Sequence, residues 1–211
     1  MLQIQNIKLN HTFLPPEKKL EIFIHSIINF IDVISAYDLE IAKYAFWDID
    51  SNTINRLPEN IHKRRKYIKN NFYKNGSNLD KCRSYAFDAA MDLHWMTGAN
   101  FSEDIGLTIN IKGKRFSTEH WVGTTDHKLH YISQHIHHIY YGGSTMKALM
   151  TFREKELYEF PYWRNVDRLS KDILTFRMKS GKIVPSNITE RIDMAIKIIE
   201  NDLSRYFSLA K

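Results

Sequence analysis

The chain has 211 residues and a mass of 25.0 kDa, enough to bury a core without metal or disulfide staples. Hydrophobic residues at 43% and charged residues at 26% exclude global disorder, and one cysteine, Cys82, excludes an intramolecular disulfide framework and a CxxC zinc site. Thirty Lys and Arg stand against 24 Asp and Glu, a net charge of +6.

Residues 2–9 alternate loosely and predict a short strand. Pro15-Pro16 opens a helix whose apolar positions, Leu20, Phe23, Ile24, Ile27, Ile31 and Ile34, recur at helical spacing. Its wide apolar stripe predicts a central, buried helix. The stretch Leu20 to Ile34 is too short and too interrupted by polar residues to span a bilayer, and the first ten residues lack the pattern of a secretory signal. A soluble cytoplasmic protein is therefore the expectation. Ser35-Ala-Tyr-Asp38 fits a capping box, with Asp in the place of Glu, at the head of a second helix through Trp47. Residues 48–57 read as a polar loop.

Pro58 suits the first turn of a third helix, 58–73, with Ile61, Ile68 and Phe72 as a thin apolar stripe. After Asn75-Gly-Ser-Asn78, a fourth helix carries Leu79, Cys82, Ala86, Ala89, Leu93 and Met96 on one face. Thr97-Gly98 is its predicted stop. The period then changes: Ile105, Leu107, Ile109 and Ile111 alternate, and Lys112-Gly113 is a two-residue turn into a returning strand. The hairpin spans 105–122.

From Asp126 the spacing of Leu129, Ile132, Ile136 and Ile139 predicts a helix stopped by Gly142-Gly143. Ser144 then caps another helix, to about Tyr158. Phe160-Pro-Tyr-Trp163 forms a packed corner. Asn165 caps a helix ended by Gly181, and Asn187-Ile-Thr-Glu190 heads a last helix through Leu203. The sum is a mainly α (α+β) chain, 1–211 as a single compact domain of about seven or eight helices around one short antiparallel hairpin.

The positive charge is local. Residues 56–83 hold nine Lys and Arg against Glu59 and Asp80, a segment charge of +7, and the remainder of the chain sums to −1. Phosphate binding needs such a local field. Tyr67, Phe72 and Tyr73 lie among the cations, and rings beside lysines suit stacked bases and paired phosphates of a single strand. Lys63, Arg64, Arg65, Lys66, Tyr67, Lys69 and Tyr73 are the candidate nucleic-acid-binding residues. The plainer alternative is a solvated helix face.

Six of the ten histidines fall between 120 and 138. On a helix running from Asp126, His127, His130, His137 and His138 share one side with Gln134. Imidazoles exchange protons near neutrality, and a pair of them suits phosphodiester cleavage without a metal. His120, His127 and His130, with Arg115 and Glu119 on the approaching strand, are the candidate catalytic residues, and Glu119 or Asp126 would orient one ring. His127-x2-His130 and His135-x2-His138 also have metal-ligand spacing, but neither matches a strong signature. Asp88 and Asp92, four apart on one helix, pose the same question for Mg²⁺. No metal and no cofactor are assigned.

Two functions follow. The first is a nucleic-acid-binding protein for RNA or another single strand, in its sharper form a metal-independent RNase using histidine acid–base chemistry. The alternative is a non-enzymatic accessory or immunity-type factor whose basic helix docks an acidic protein. The first needs the basic segment and the histidines to share one surface.

Overall fold

A computed structural model describes residues 1–104, 108–117, 123–140, 147–151, 153–181 and 185–209. Among these, the chain is mainly helical, as its periodicity requires.

The first element departs from expectation. Residues Leu2–Asn10 form helix α1, not a strand. Ile4 and Ile7, three apart, are both fully buried. Gln3, Gln5 and Asn6 are buried with them because each finds a partner. Gln3 Nε2 donates to Ser26 Oγ at 3.0 Å, and Asn6 Nδ2 to Gln3 Oε1 at 3.2 Å. Gln5 Nε2 donates to the Cys82 carbonyl at 3.0 Å, and its Oε1 accepts the Gly76 N–H at 3.3 Å.

Helix α2, Pro16–Ile31, begins at the expected proline. It ends on Asp32 in the left-handed region, φ 51°, whose N–H reaches the Ile27 and Ile28 carbonyls. Arg177 holds that residue by its carboxylate at 2.7 Å and by its carbonyl. Only Leu20, Phe23 and Ile24 of α2 are fully buried, so it is not the central helix. Ile27, Phe30 and Ile31 instead line an open apolar trough of about 540 Å³ with Phe87, Ile192 and Ile196.

The central helix is α3, Ala36–Phe46, capped by Ser35 Oγ accepting from the Asp38 N–H. Leu39 to Trp47 is buried without a break. Tyr44 and Trp47 meet Trp163 edge-on, with ring centroids 4.8 Å and 5.1 Å away. A single turn, α4 (Ser51–Ile54), interrupts the expected loop under an Asp50 cap. Then come α5, Glu59–Phe72, entered at Pro58, and α6, Leu79–Asp104. Helix α6 runs through Thr97-Gly98, so the glycine does not stop it; a helix-interior glycine costs only about 1 kcal/mol relative to alanine.

The hairpin is as expected in kind. Strand β1, Thr108–Ile111, pairs antiparallel with β2, Lys114–Ser117. Lys112 and Gly113 both take positive φ, 51° and 76°, which is the two-residue turn that matches strand twist. Residues 105–107 and 118–122 lie outside the described residues.

A further correction concerns the histidines. Helix α7 covers only His127–His135. The chain then becomes strand β3, Ile136–Tyr140, paired antiparallel with β4, Lys147–Thr151, where a helix after Ser144 was expected. Gly142, Gly143 and Ser144 themselves lie outside the described residues. A turn α8 (Lys155–Tyr158), helix α9 (Pro161–Lys179) and helix α10 (Ile188–Leu209) complete the fold. Helix α9 starts four residues before Asn165, the expected cap, and takes the buried Tyr162 and Trp163 into its first turn. Helix α10 lies against α1, α2 and α6, where Ile199 and Leu203 enclose Cys82. Among the described residues, no helix is long and apolar enough to cross a membrane.

Candidate nucleic-acid interface

Helix α5 carries five of the nine cations of the basic segment, and its buried face explains which of them are free. Ile61, Arg64, Ile68 and Phe72 are the buried residues, spaced at helical period. Arg64 thus occupies a position in the apolar stripe. It is 1% exposed. Its Nε donates to Tyr44 Oη at 2.8 Å, and its two terminal nitrogens grip Glu154 at 2.7 and 2.6 Å. This two-pronged geometry is the strong form of an arginine–carboxylate pair. Arg64 therefore cannot meet a polyanion, and the sequence expectation for it is corrected. Tyr73 is corrected as well. It is 3% exposed, donates to the Tyr44 carbonyl at 3.3 Å, and lies under Lys8, so no base can stack on it.

Lys63, Lys66 and Lys69 are exposed, and Arg65 and Tyr67 are half-buried. Helix α5 has two flanks. On one, it packs along α7. Tyr67 meets the edge of His127 at 5.7 Å and of Tyr131 at 5.4 Å. Lys63 Nζ stands 4.8 Å from the Tyr131 ring centre and 5.7 Å from that of Tyr67. Two bonds tie the helices: Asn71 donates to Asp126 at 3.2 Å, and Tyr131 donates to the Asn60 carbonyl at 3.2 Å. On the other flank, Arg65 lies over Trp47, with its guanidinium 5.6 Å from the ring centre.

The basic segment and part of the histidine cluster thus share one surface. His127 and His130 are exposed on α7. His135 stacks on Tyr131 at 4.2 Å and bonds its carbonyl through Nδ1 at 2.7 Å, a local structural role. His137 and His138 lie on β3, paired with Met150 and Leu149, so the helix face shared by four histidines does not form. Asp126 is the N-cap of α7, accepting from the Lys128 and Leu129 N–H groups at 2.8 and 3.2 Å. Burial raises its carboxyl pKa, but these donors and Asn71 outweigh burial and hold it below the ordinary carboxylate value. It is a cap rather than an orienter of imidazole. Arg115 is exposed on β2, where its Nε donates to Thr108 Oγ1 at 2.8 Å. Glu119 and His120 lie outside the described residues.

The carboxylates of α6 gather only loosely. Asp92 is half-buried, and burial, then Asp126 and Asp88, raise its pKa above the ordinary value. Among the described residues, no group of three or more His, Cys, Asp or Glu side chains has metal-binding geometry.

Sequence reasoning missed a buried ionic network beside α5. Arg153 contacts Glu40 and Asp167, donating to Asp167 Oδ2 at 2.8 Å and to Glu40 Oε2 at 3.0 Å, and its guanidinium lies 4.1 Å over Trp163. Lys43 bridges the same carboxylates at 3.1 and 3.0 Å. Burial alone would raise the Glu40 carboxyl; Arg153 and then Lys43 overcome it and hold the pKa at about 2. Glu40 Oε1 sits 2.9 Å from Arg153 Nη1, yet off the direction of its N–H, so it is an ion pair without a hydrogen bond. With Arg64–Glu154, this network locks α3, α5 and α9 around Tyr44. Its three cations and three carboxylates are largely enclosed and balance one another in charge, which marks it as structural.

Comparison of this chain with protein-family models, with curated proteins and with solved structures finds no match.

Proposed function

We propose that this protein binds a single-stranded nucleic acid across the exposed ridge of α5 and the adjoining face of α7. One observation carries the reading: Lys63 of the basic helix stands over Tyr67 and Tyr131, and His127 lies at the edge of the same Tyr67 ring. Lys63 and Lys66 would pair with phosphates, and the half-exposed Tyr67, met by its ring neighbours only edge-on, would offer a base a stacking surface. A docking helix for an acidic protein has use for the lysines but none for this junction of tyrosine and imidazole.

In its sharper form the reading is RNA cleavage without a metal. One of His127 and His130 would take the proton of the ribose 2′-hydroxyl, whose oxygen attacks the adjacent phosphorus. The other would protonate the departing 5′-oxygen, leaving a cyclic phosphate and a free 5′-hydroxyl. Incubation of the purified chain with labelled RNA and DNA, with and without EDTA, tests it. Cleavage of RNA that persists in EDTA and disappears in His127→Ala and in His130→Ala is expected. Both residues are exposed, so each variant should keep its stability within about 0.5 kcal/mol. Binding without cleavage leaves the nucleic-acid reading and removes the enzymatic one. Retention of an acidic polypeptide with no affinity for RNA refutes both.

A further inference from the structure

On the flank of α5 facing away from α7, α1, α2 and the end of α3 enclose a recess of about 230 Å³. Four cations from three helices line it: Lys8 of α1, Lys19 of α2, and Arg65 and Lys69 of α5. One carboxylate, Asp48, lies among them. Among the described residues none of the four cations is in an ion pair. Lys8 is half-buried against the Tyr73 ring, 4.5 Å from its centre, and Lys19 has only the Thr12 carbonyl at 3.4 Å. Arg65 keeps Nε buried and without a hydrogen-bond acceptor.

Like charges brought together in a partly enclosed space repel one another strongly, because water screens them less there. Elsewhere among the described residues, buried cations are matched by carboxylates: Arg64 by Glu154, and Lys43 and Arg153 by Glu40 and Asp167. Here three half-buried cations, Lys8, Lys19 and Arg65, converge with the exposed Lys69 and have no such partner. We propose that this recess is a binding site for the phosphate group of a phosphomonoester, whose dianion would neutralise the convergent cations. Arginine and lysine together supply a planar fork and two or three point charges for such a group. Pockets for whole drug-sized ligands span roughly 300–1,000 Å³, so this smaller recess suits the charged head and leaves the rest of the molecule outside. Burial, followed by Lys69, Arg65 and Lys19, lowers the Lys8 pKa to about 8 against the opposing pull of Asp48, in keeping with a counter-charge too small for the four cations. The site is separate from the Tyr67–His127 junction and stands or falls apart from the nucleic-acid reading.

The test is thermal unfolding and calorimetric titration of the full chain with inorganic phosphate, with chloride at equal ionic strength as control. Phosphate should bind saturably and raise the midpoint, and chloride should not. Uridine monophosphate should bind at least tenfold more tightly than uridine, and a 5′-phosphorylated RNA more tightly than its 5′-hydroxyl form if the head belongs to a strand end. Lys8→Met and, as an independent variant, Lys19→Met should each weaken phosphate at least tenfold. In phosphate-free buffer, Lys8→Met should melt no lower than the parent, because it removes one of four repelling charges. The proposal is overturned if phosphate acts no differently from chloride, if uridine matches its monophosphate, or if both methionine variants keep the parent's affinity.

Discussion

Arg64→Ala separates the structural arginine of α5 from its binding lysines. The substitution removes three short hydrogen bonds, at 2.6, 2.7 and 2.8 Å, from a residue 1% exposed. It leaves Glu154 charged, largely buried and without its guanidinium, and Tyr44 Oη with only the longer contact from Arg153 Nη1 at 3.4 Å. Breaking a buried ion pair from one side costs about 3–5 kcal/mol. In a chain of this size, each kcal/mol moves the thermal midpoint by roughly 2–4 °C, so a fall of about 6–20 °C is expected. That is a large part of a typical stability of about 5–15 kcal/mol. Lys66, two residues on and therefore on the opposite, exposed side of α5, should tolerate alanine within about 0.5 kcal/mol. Circular dichroism melts of the two variants provide the assay. The reasoning is refuted if Arg64→Ala melts within about 2 °C of the parent while losing affinity for RNA, since Arg64 would then be a surface contact.

Three further outcomes follow. The Lys8 pKa lies near 8 against an ordinary value of 10.5, so between these values the unfolded chain holds the extra proton and stability from this group rises with pH. Phosphate affinity should fall over the same range as Lys8 loses its charge; the groups facing it are Lys19, Arg65, Lys69 and Asp48. Titrations at pH 7 and pH 9.5 decide this, and affinity that holds constant across them contradicts it. Separately, a Cβ at Gly76 would lie 2.5 Å from the Cys82 backbone nitrogen and 2.7 Å from its Sγ. Gly76→Ala should therefore destabilise by about 1–3 kcal/mol through overpacking, and a melt equal to the parent's would show that the segment yields.

Local chemistry made the hairpin legible. Lys112-Gly113 between alternating residues fixed its register to Ile111 and Lys114. Pro58, Ser35 and the apolar periods likewise announced α5, α3 and α10. Long-range pairing hid the rest. Helix α1 buries Gln5 because Cys82 and Gly76, more than seventy positions away, satisfy its amide, and no spacing within residues 2–9 reveals that. Ile132, Ile136 and Ile139 fit a helix as well as they fit any alternative; pairing with Lys147–Thr151 draws the chain into β3 and divides the histidines. The one missed signal that was present is Arg64. It falls three residues after Ile61 and four before Ile68, on the buried stripe, and a cation there must have a buried partner. That partner, Glu154, lies ninety positions away, as do most links of the ionic network around Tyr44.

The central claim is that Lys63 and Lys66 of α5 and the Tyr67 ring beside them form one surface for a single strand. Its most direct test is the salt dependence of binding to a labelled single-stranded RNA, for the parent chain and for Lys63→Ala/Lys66→Ala. Each phosphate contact contributes a slope of about −0.7 in log K against log salt for single strands. The double variant should therefore bind more weakly and with a slope shallower by about 1.4, while its melting temperature stays that of the parent. An unchanged affinity and slope would contradict the claim.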